Sequence, residues 1–370
     1  MIPIYKPYLK KYKESAIKSI NDEWISNHGI YVKLASEKMA EILGIKYCIL
    51  MNNGTSATQC LYKALKYKYP QINKIYVPNN VFVAPWNCGL MEYPIEIFEV
   101  MKLNPETLNI VTDESYIMSL EKNACVMIVH NLGNIINVPR LQRLRPDLIF
   151  VEDNCEGLFG KYENQYSGSV SLCSSVSFYG NKTLTTGEGG AFFTNDEQIY
   201  LYIKNIYSHG MSDKRYIHDN LGYNFRMTNI EAGFLYDQLN DYEHILSLKK
   251  TIFKNYDSLL ETYFKENKII KQQKESNTEN SNWMYIILIP NINYEHLEKQ
   301  MEYKNIQIRP IFYDVHKHNH LKTMNKHDQF TNDTPSYGIM LPSYPELSDN
   351  EQKYIILCID EYLKSVSYLV

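Results

Sequence analysis

Lys182 stands in SFYGNKTLTTGEGG (177–190), directly after an apolar run and among glycines that let backbone approach a ligand closely. Burial disfavours the charged form of an amine, and a neutral lysine amine can form a Schiff base with an aldehyde. Asp153 ends the apolar run DLIFVED (147–153), and open α/β sheets bind ligands outside the carboxyl ends of their strands. A carboxylate there calls for a cationic partner. NNGTSA (52–57) follows another apolar run and opens a helical pattern. The amides of Gly54, Thr55 and Ser56 would thus face an anion at the positive end of a helix.

Each feature has an ordinary reading when taken singly: a surface lysine on a turn, a carboxylate that caps a helix, and an Asn-Gly turn. Together they supply an anion cradle, a Schiff-base lysine and an acid that keeps a pyridine nitrogen protonated. Pyridoxal phosphate needs all three. Other cofactor signals are missing. GxxxxGK[ST] and GxGxxG are absent, GEGG at 187–190 does not replace them, and there is no HExxH. His28, His130, His209, His218 and His316 lack metal-ligand spacing, so no metal site is expected.

The elements that must position these groups are legible as short apolar runs: 46–51, 74–78, 96–100, 124–130, 147–153, 175–180 and 190–195. Between them lie helical patterns such as Ala57, Leu61, Ala64 and Leu65, which share one face. Strands that alternate with helices predict an α/β fold with a parallel sheet covered on both faces. After Asn229 the spacing of Leu235, Leu239, Tyr242 and Leu246 predicts one long helix leading into a second, smaller α/β unit. Polar KQQKESNTENSN (271–282) is expected to be a surface loop, followed by a strand at 283–290.

The chain has 370 residues, 44% hydrophobic and 22% charged, enough for a sizeable core and more than one core usually serves. Its 38 basic and 42 acidic residues leave a net charge of −4, which does not announce nucleic acid as a partner. Arginine occurs only at 140, 143, 145, 215, 226 and 309, so bidentate recognition of carboxylate or phosphate has few candidates. The seven cysteines form no CxxC pair, which fits a reducing cytoplasm. No signal segment and no membrane span is expected.

The ordered segments WISNHG (24–29), NNGTSA, VEDNCEGLFG (151–160), SFYGNKTLTTGEGG, YNFRMTNIEAG (223–233) and LPSYPELS (341–348) resemble the DegT/StrS family of sugar aminotransferases. The resemblance implies a fold type I aminotransferase. It would have a three-layer αβα large domain at 1–245 with a mostly parallel central sheet, a smaller C-terminal α/β domain at 246–370, and a homodimer with shared active sites. Carried over by motif, Lys182 is the Schiff-base and proton-shuttling residue, and Asp153 the partner of the pyridine nitrogen. Phe82 stacks on the ring, Gly54, Thr55, Ser56 and Ser177 form the phosphate cradle, and Asn224 is lent by the neighbouring subunit. Arg226 is a candidate for the donor's carboxylate, with a structural ion pair as the alternative, and His316 matches a position near the sugar nucleotide.

Glu156 also falls at the cofactor, where many members carry Gln or His; Glu there resembles the subgroup that makes perosamine or viosamine. The implied reaction moves the amino group of L-glutamate, which leaves as 2-oxoglutarate, to C4 of a nucleotide-linked 4-keto-6-deoxyhexose. A C3 aminotransferase and a non-catalytic nucleotide-sugar-binding homologue are the alternatives. The C3 dehydrase branch carries His in place of the lysine, and Lys182 argues against it. Val81 replaces the usual Thr before the stacking aromatic and PWN (85–87) replaces small residues, which leaves substrate identity open.

Overall fold

A computed structural model describes residues 1–290, 292–324 and 338–367. Its first unit contains β1 (Tyr47–Met51), β2 (Ile75–Pro78), β3 (Phe98–Met101), β4 (Cys125–Val129), β5 (Ile149–Asp153), β6 (Lys161–Tyr162), β7 (Gln165–Tyr166), β8 (Ser174–Ser177) and β9 (Gly190–Thr194). Its helices are α1 (Glu14–Asn21), α2 (Ile30–Leu43), α3 (Gly54–Lys68), α4 (Ala84–Glu92), α5 (Glu114–Met118), α6 (Val138–Leu144), α7 (Glu197–Ile206) and α8 (Asn229–Leu239). Seven strands form one sheet in the order β1-β9-β8-β5-β4-β2-β3. The pairings from β8 to β3 are parallel, and β9 runs against both its neighbours.

Strand β4 shows why the runs are continuously apolar. Cys125, Met127 and Val129 enter a core with Ala57, Leu61, Ala64 and Leu65 of α3 and Ile199 and Ile203 of α7. Val126 and Ile128 enter another with Ile117 of α5 and Leu141 of α6. On that second face, Leu50, Val176 and Phe193 pack against α2 and α8 through Met39, Leu43, Leu235 and Leu239. Both faces are dry, the condition that makes a parallel sheet read as uninterrupted hydrophobic runs. The predicted helical face of α3 is buried throughout.

The second unit holds α9 (Tyr242–Lys265), β10 (Ile270–Lys271), β11 (Thr278–Glu279), β12 (Tyr285–Leu288), α10 (Tyr294–Tyr303), β13 (Arg309–Pro310), β14 (Gly338–Leu341) and α11 (Asp349–Ser367). Four strands pair antiparallel in the order β10-β12-β14-β13. One face packs Ile287 and Leu341 on Ile252, Tyr256, Ile355 and Ile359. The other sets Met284, Ile286 and Met340 against Ile4, Leu108 and Leu132 of the first unit.

Two sequence expectations need correction. The single helix after Asn229 is two helices, because the chain turns at Asn240 and Asp241; α8 begins with a reciprocal cap between Thr228 and Glu231. Ile245 packs with the first unit and Ile252 with the second, so α9 spans the expected boundary at 245/246. The segment 271–282 is not a plain surface loop. Thr278 and Glu279 pair with Tyr162 and Lys161, and the Asn137 and Glu163 amides donate to Glu275 and to the Asn277 carbonyl. Polar composition there reflects hydrogen bonding to the first unit's backbone, which a polarity pattern does not distinguish from exposure to water.

Lys249 joins these pieces. It is buried, and its Nζ donates to the carbonyl oxygens of Trp283, at 2.7 Å, and Ser343. Burial pulls its amine down to about 7. Between that value and the ordinary lysine value the unfolded chain binds more protons, so this group's contribution to stability rises with pH across that window. The stability gap between wild type and Lys249→Met should therefore widen in favour of wild type by on the order of 2 kcal/mol from pH 7 to pH 9. Denaturant unfolding at both pH values measures it; a constant gap would mean that the amine titrates normally.

Candidate active site

Lys182 is placed by a turn between β8 and β9. Its N–H donates to the Tyr179 carbonyl at 2.9 Å, and the amides of Phe178 and Thr186 close the base of the turn on the carbonyls of Gly189 and Phe178. Gly189 has φ of +144° and lies where a Cβ would sit 2.3 Å from Thr186 Oγ1, so no other residue fits. Gln238 of α8 holds Thr185 in both directions, accepting from its N–H at 2.9 Å and donating to its carbonyl at 2.8 Å. The lysine side chain is thereby directed into a cavity of about 580 Å³ at the carboxyl ends of the parallel strands.

The N-terminus of α3 forms one wall. Asn53 caps the helix by accepting from the Ser56 amide at 2.8 Å. Gly54 and Thr55 line the cavity at the positive end of the helix dipole. Ser177, at the end of β8, lines the same wall, and its Oγ accepts from the Tyr179 amide at 3.2 Å. Ser56 is buried outside the lining, with its amide already committed to Asn53.

Asp153 ends β5 on the cavity floor. The Cys155 amide donates to its Oδ1 at 3.0 Å and the Thr58 hydroxyl to its Oδ2 at 3.3 Å. Glu156 follows on the next turn. Its Oε2 accepts from the Leu132 amide at 2.7 Å, and its Oε1 lies 3.7 Å from Lys182 Nζ. Burial pushes the Glu156 carboxyl up to about 7, against the opposing pull of Lys182 and the Leu132 amide. Lys182 Nζ also lies 4.1 Å from the centre of the Trp283 ring.

Beneath the floor, Glu152 and His130 form a fully buried pair at 2.8 Å. The Ile136 amide donates to His130 Nδ1, so the ring proton is on Nε2 and points at Glu152. Glu152 also accepts from the Gly168 amide and the Tyr162 hydroxyl.

Lys182, Asp153, Glu156, Gly54, Thr55, Ser177 and Phe82 thus converge on one cavity. Phe82 is 55% exposed on its wall, edge-on to Phe312, whereas Val81 beside it fills the core. Asn224, Arg226 and His316 do not line this cavity. Asn224 is exposed; Arg226 donates to Ser208 Oγ at 3.2 Å; His316 lies 4.0 Å from Asp314. Thr58, Trp283, Arg309, Phe312 and His318 line the cavity without having been singled out as site residues. Arg309 had a signal, as one of only six arginines. Thr58 and Trp283 lie within ordinary helix and strand patterns.

These residues fit pyridoxal phosphate on the chemistry of the donor set. Amides at a helix N-terminus suit its phosphate, a carboxylate suits its ring nitrogen, an exposed aromatic suits its ring face, and a lysine amine directed into the cavity suits its aldehyde. Among the described residues no His, Cys, Asp or Glu cluster could hold a metal ion. The closeness of the α3 wall is testable: a Cβ at Gly54 would lie 2.6 Å from Ser177 Cβ. Gly54→Ala should cost about 1–3 kcal/mol of stability and weaken capture of pyridoxal phosphate, read by thermal unfolding and by titration. Unchanged values in both would mean that the helix end can shift freely.

The model of the DegT/DnrJ/EryC1/StrS aminotransferase family matches residues 8–360. A GDP-perosamine synthase of Escherichia coli O157:H7 is 30% identical over 367 residues, covering 98% of each chain. Another GDP-perosamine synthase, from Vibrio cholerae, is 30% identical over 379 residues, covering 99% of this chain and all of the relative. The solved structure of Helicobacter pylori PseC, an aminotransferase of pseudaminic acid biosynthesis, superposes with a TM-score of 0.86 at 21% identity, covering 98% of this chain and 99% of that one. With its lysine, carboxylates and helix end gathered in one cavity, this chain belongs to the DegT/DnrJ/EryC1/StrS family and is a pyridoxal-phosphate-dependent sugar aminotransferase.

Proposed function

We propose that the enzyme transfers the amino group of L-glutamate to C4 of a nucleotide-linked 4-keto-6-deoxyhexose, giving a 4-amino-4,6-dideoxyhexose of the perosamine or viosamine type. The observation that carries the reading is the meeting of Lys182 with Asp153 and Glu156 in one cavity. Two relatives at 30% identity along their whole length are GDP-perosamine synthases, which supports a nucleotide-sugar acceptor.

When bound, the cofactor supplies an aldehyde and an electron-accepting ring. Lys182 Nζ takes a proton from the substrate carbon in one half reaction and returns one in the other. Asp153, held by Cys155 and Thr58, presents a carboxylate to the ring nitrogen. Glu156, with its carboxyl near 7 and 3.7 Å from the amine, steadies the charge on Lys182 as protons arrive and leave. Phe82, edge-on to Phe312 on the cavity wall, offers an aromatic face to the cofactor ring.

The second subunit enters the same reading. The segment that carries Asn224 exposes Met211, Tyr216, Ile217 and Leu221, the last 85% exposed, a density of apolar side chains suited to burial against another copy. Asn224 then serves the neighbour's cavity.

Lys182→Ala should fold normally, lose the lysine-dependent visible band of the bound cofactor, and transfer amino groups about 10²–10⁴-fold more slowly. Asp153→Asn should keep the cofactor and lose activity. A Lys182→Ala protein with full activity on a 4-ketosugar nucleotide would overturn the assignment. If sites are shared, mixing and re-equilibrating inactive Lys182→Ala and Asn224→Ala subunits should restore roughly a quarter of wild-type activity, because each hybrid dimer has one intact site. No recovery despite subunit exchange would place Asn224 outside the neighbour's site.

A further inference from the structure

Trp283 is held from three directions. Its Nε1–H donates at 2.9 Å to the carbonyl of Asn181, the residue before Lys182. Its own carbonyl accepts from Lys249 of α9. The segment leading to it is pinned along the first unit: the Gln273 amide donates to the Glu106 carbonyl, β11 pairs with β6, and the Ser281 hydroxyl donates to the Glu156 carbonyl at 2.6 Å. Gly133 makes this approach tight, since a Cβ there would lie 2.4 Å from Ser281 Oγ and 3.3 Å from Trp283 Cβ. The indole is therefore a fixed platform, 3% exposed, with Lys182 Nζ 4.1 Å from its ring centre. An amine desolvated over an indole is stabilised in its cationic form.

We propose that Trp283 is a positioning residue for Lys182: whenever the lysine is not joined to the cofactor, the indole face and the Glu156 carboxylate hold its amine in the cavity. This rests on the reading of Lys182 as the cofactor-binding lysine. The strap 272–283 thus makes the second unit part of the catalytic apparatus, since it delivers Trp283 and grips the Glu156 backbone in the same stretch. The ionisable groups sharing the lysine's cavities are Asp153, Cys155 and Glu156 at the end of β5, Tyr179 and Glu188 in its own turn, Tyr5, Lys6 and Tyr8 near the N-terminus, and Lys249, Arg309, Tyr313, His318 and Tyr344 of the second unit. Substitution of the Trp283 side chain changes none of these residues and keeps the carbonyl that Lys249 holds.

The test uses the full-length enzyme loaded with the aminated form of the cofactor, in which Lys182 is free, with lysines carrying ¹³C at Cε. The Lys182 signal is identified by its loss from Lys182→Ala. In wild type it should lie upfield of the other lysines through the indole ring current. In Trp283→Leu it should lose that displacement, because the ring that causes it is gone. Trp283→Phe should restore part of it. The rate of the glutamate half reaction should fall, with the KM for glutamate unchanged.

An identical Lys182 signal and an unchanged half-reaction rate in wild type and Trp283→Leu would overturn the positioning role while leaving the aminotransferase reading intact. Should the Leu variant not fold, Trp283→Met answers the same question under the same criteria. A wild-type protein in which cofactor capture does not depend on Lys182 would overturn both.

Discussion

Between the first turn of α3 and the ends of β8 and β9 there is no room for a side chain. A Cβ at Gly54 would lie 2.6 Å from Ser177 Cβ, and one at Gly190 would lie 2.5 Å from the Asn53 carbonyl. This contact brings the helix end to the strand ends and so sets the distance between the anion cradle and the lysine turn. It also seats Thr58, one turn further along α3, where its hydroxyl reaches both Asp153 and Ser175. Cradle, carboxylate and lysine are thus referenced to one another through a single packing interface, and van der Waals exclusion is what makes that reference rigid.

Charges are buried in this cavity because each has a partner. Asp153 receives an amide and a hydroxyl, Glu156 an amide and the lysine, and Glu152 below them a neutral histidine, an amide and a phenol. Desolvation without such partners would cost several kcal/mol per ion. Glu156 is the group in which burial outweighs its partners, and its carboxyl rises to about 7. A group that changes protonation near neutral pH beside the lysine suits a reaction in which a proton is taken up and returned at the same amine.

The cavity is closed by the second unit. Arg309, Phe312 and Met340 line it from the C-terminal side, and the apolar contact of Met284, Ile286 and Met340 with Leu108 and Leu132 ties the small sheet to the large one. Lys249 holds the start of β12 to the chain beyond β14 through two carbonyls. The C-terminal unit therefore does more than cover the site, because its position decides what surrounds the lysine amine.

Lys182, Asp153 and the Gly54–Thr55 turn were legible in the sequence because their chemistry depends on local context: a lysine among glycines, a carboxylate ending an apolar run, and small residues opening a helix. The parallel sheet was legible for a similar reason, since strands dry on both faces leave unbroken apolar runs. Ser56 was grouped with the cradle because no local signal shows that Asn53 captures its amide. Trp283 reads as the first residue of an apolar strand, and 271–282 as polar loop, because their partners lie about a hundred residues away. Local composition and period determine which elements form and which residue types their ends present. Only the packing of distant elements decides which of those residues share a cavity, because desolvation, ion pairing and ring contacts act through space and leave no periodic trace in the chain.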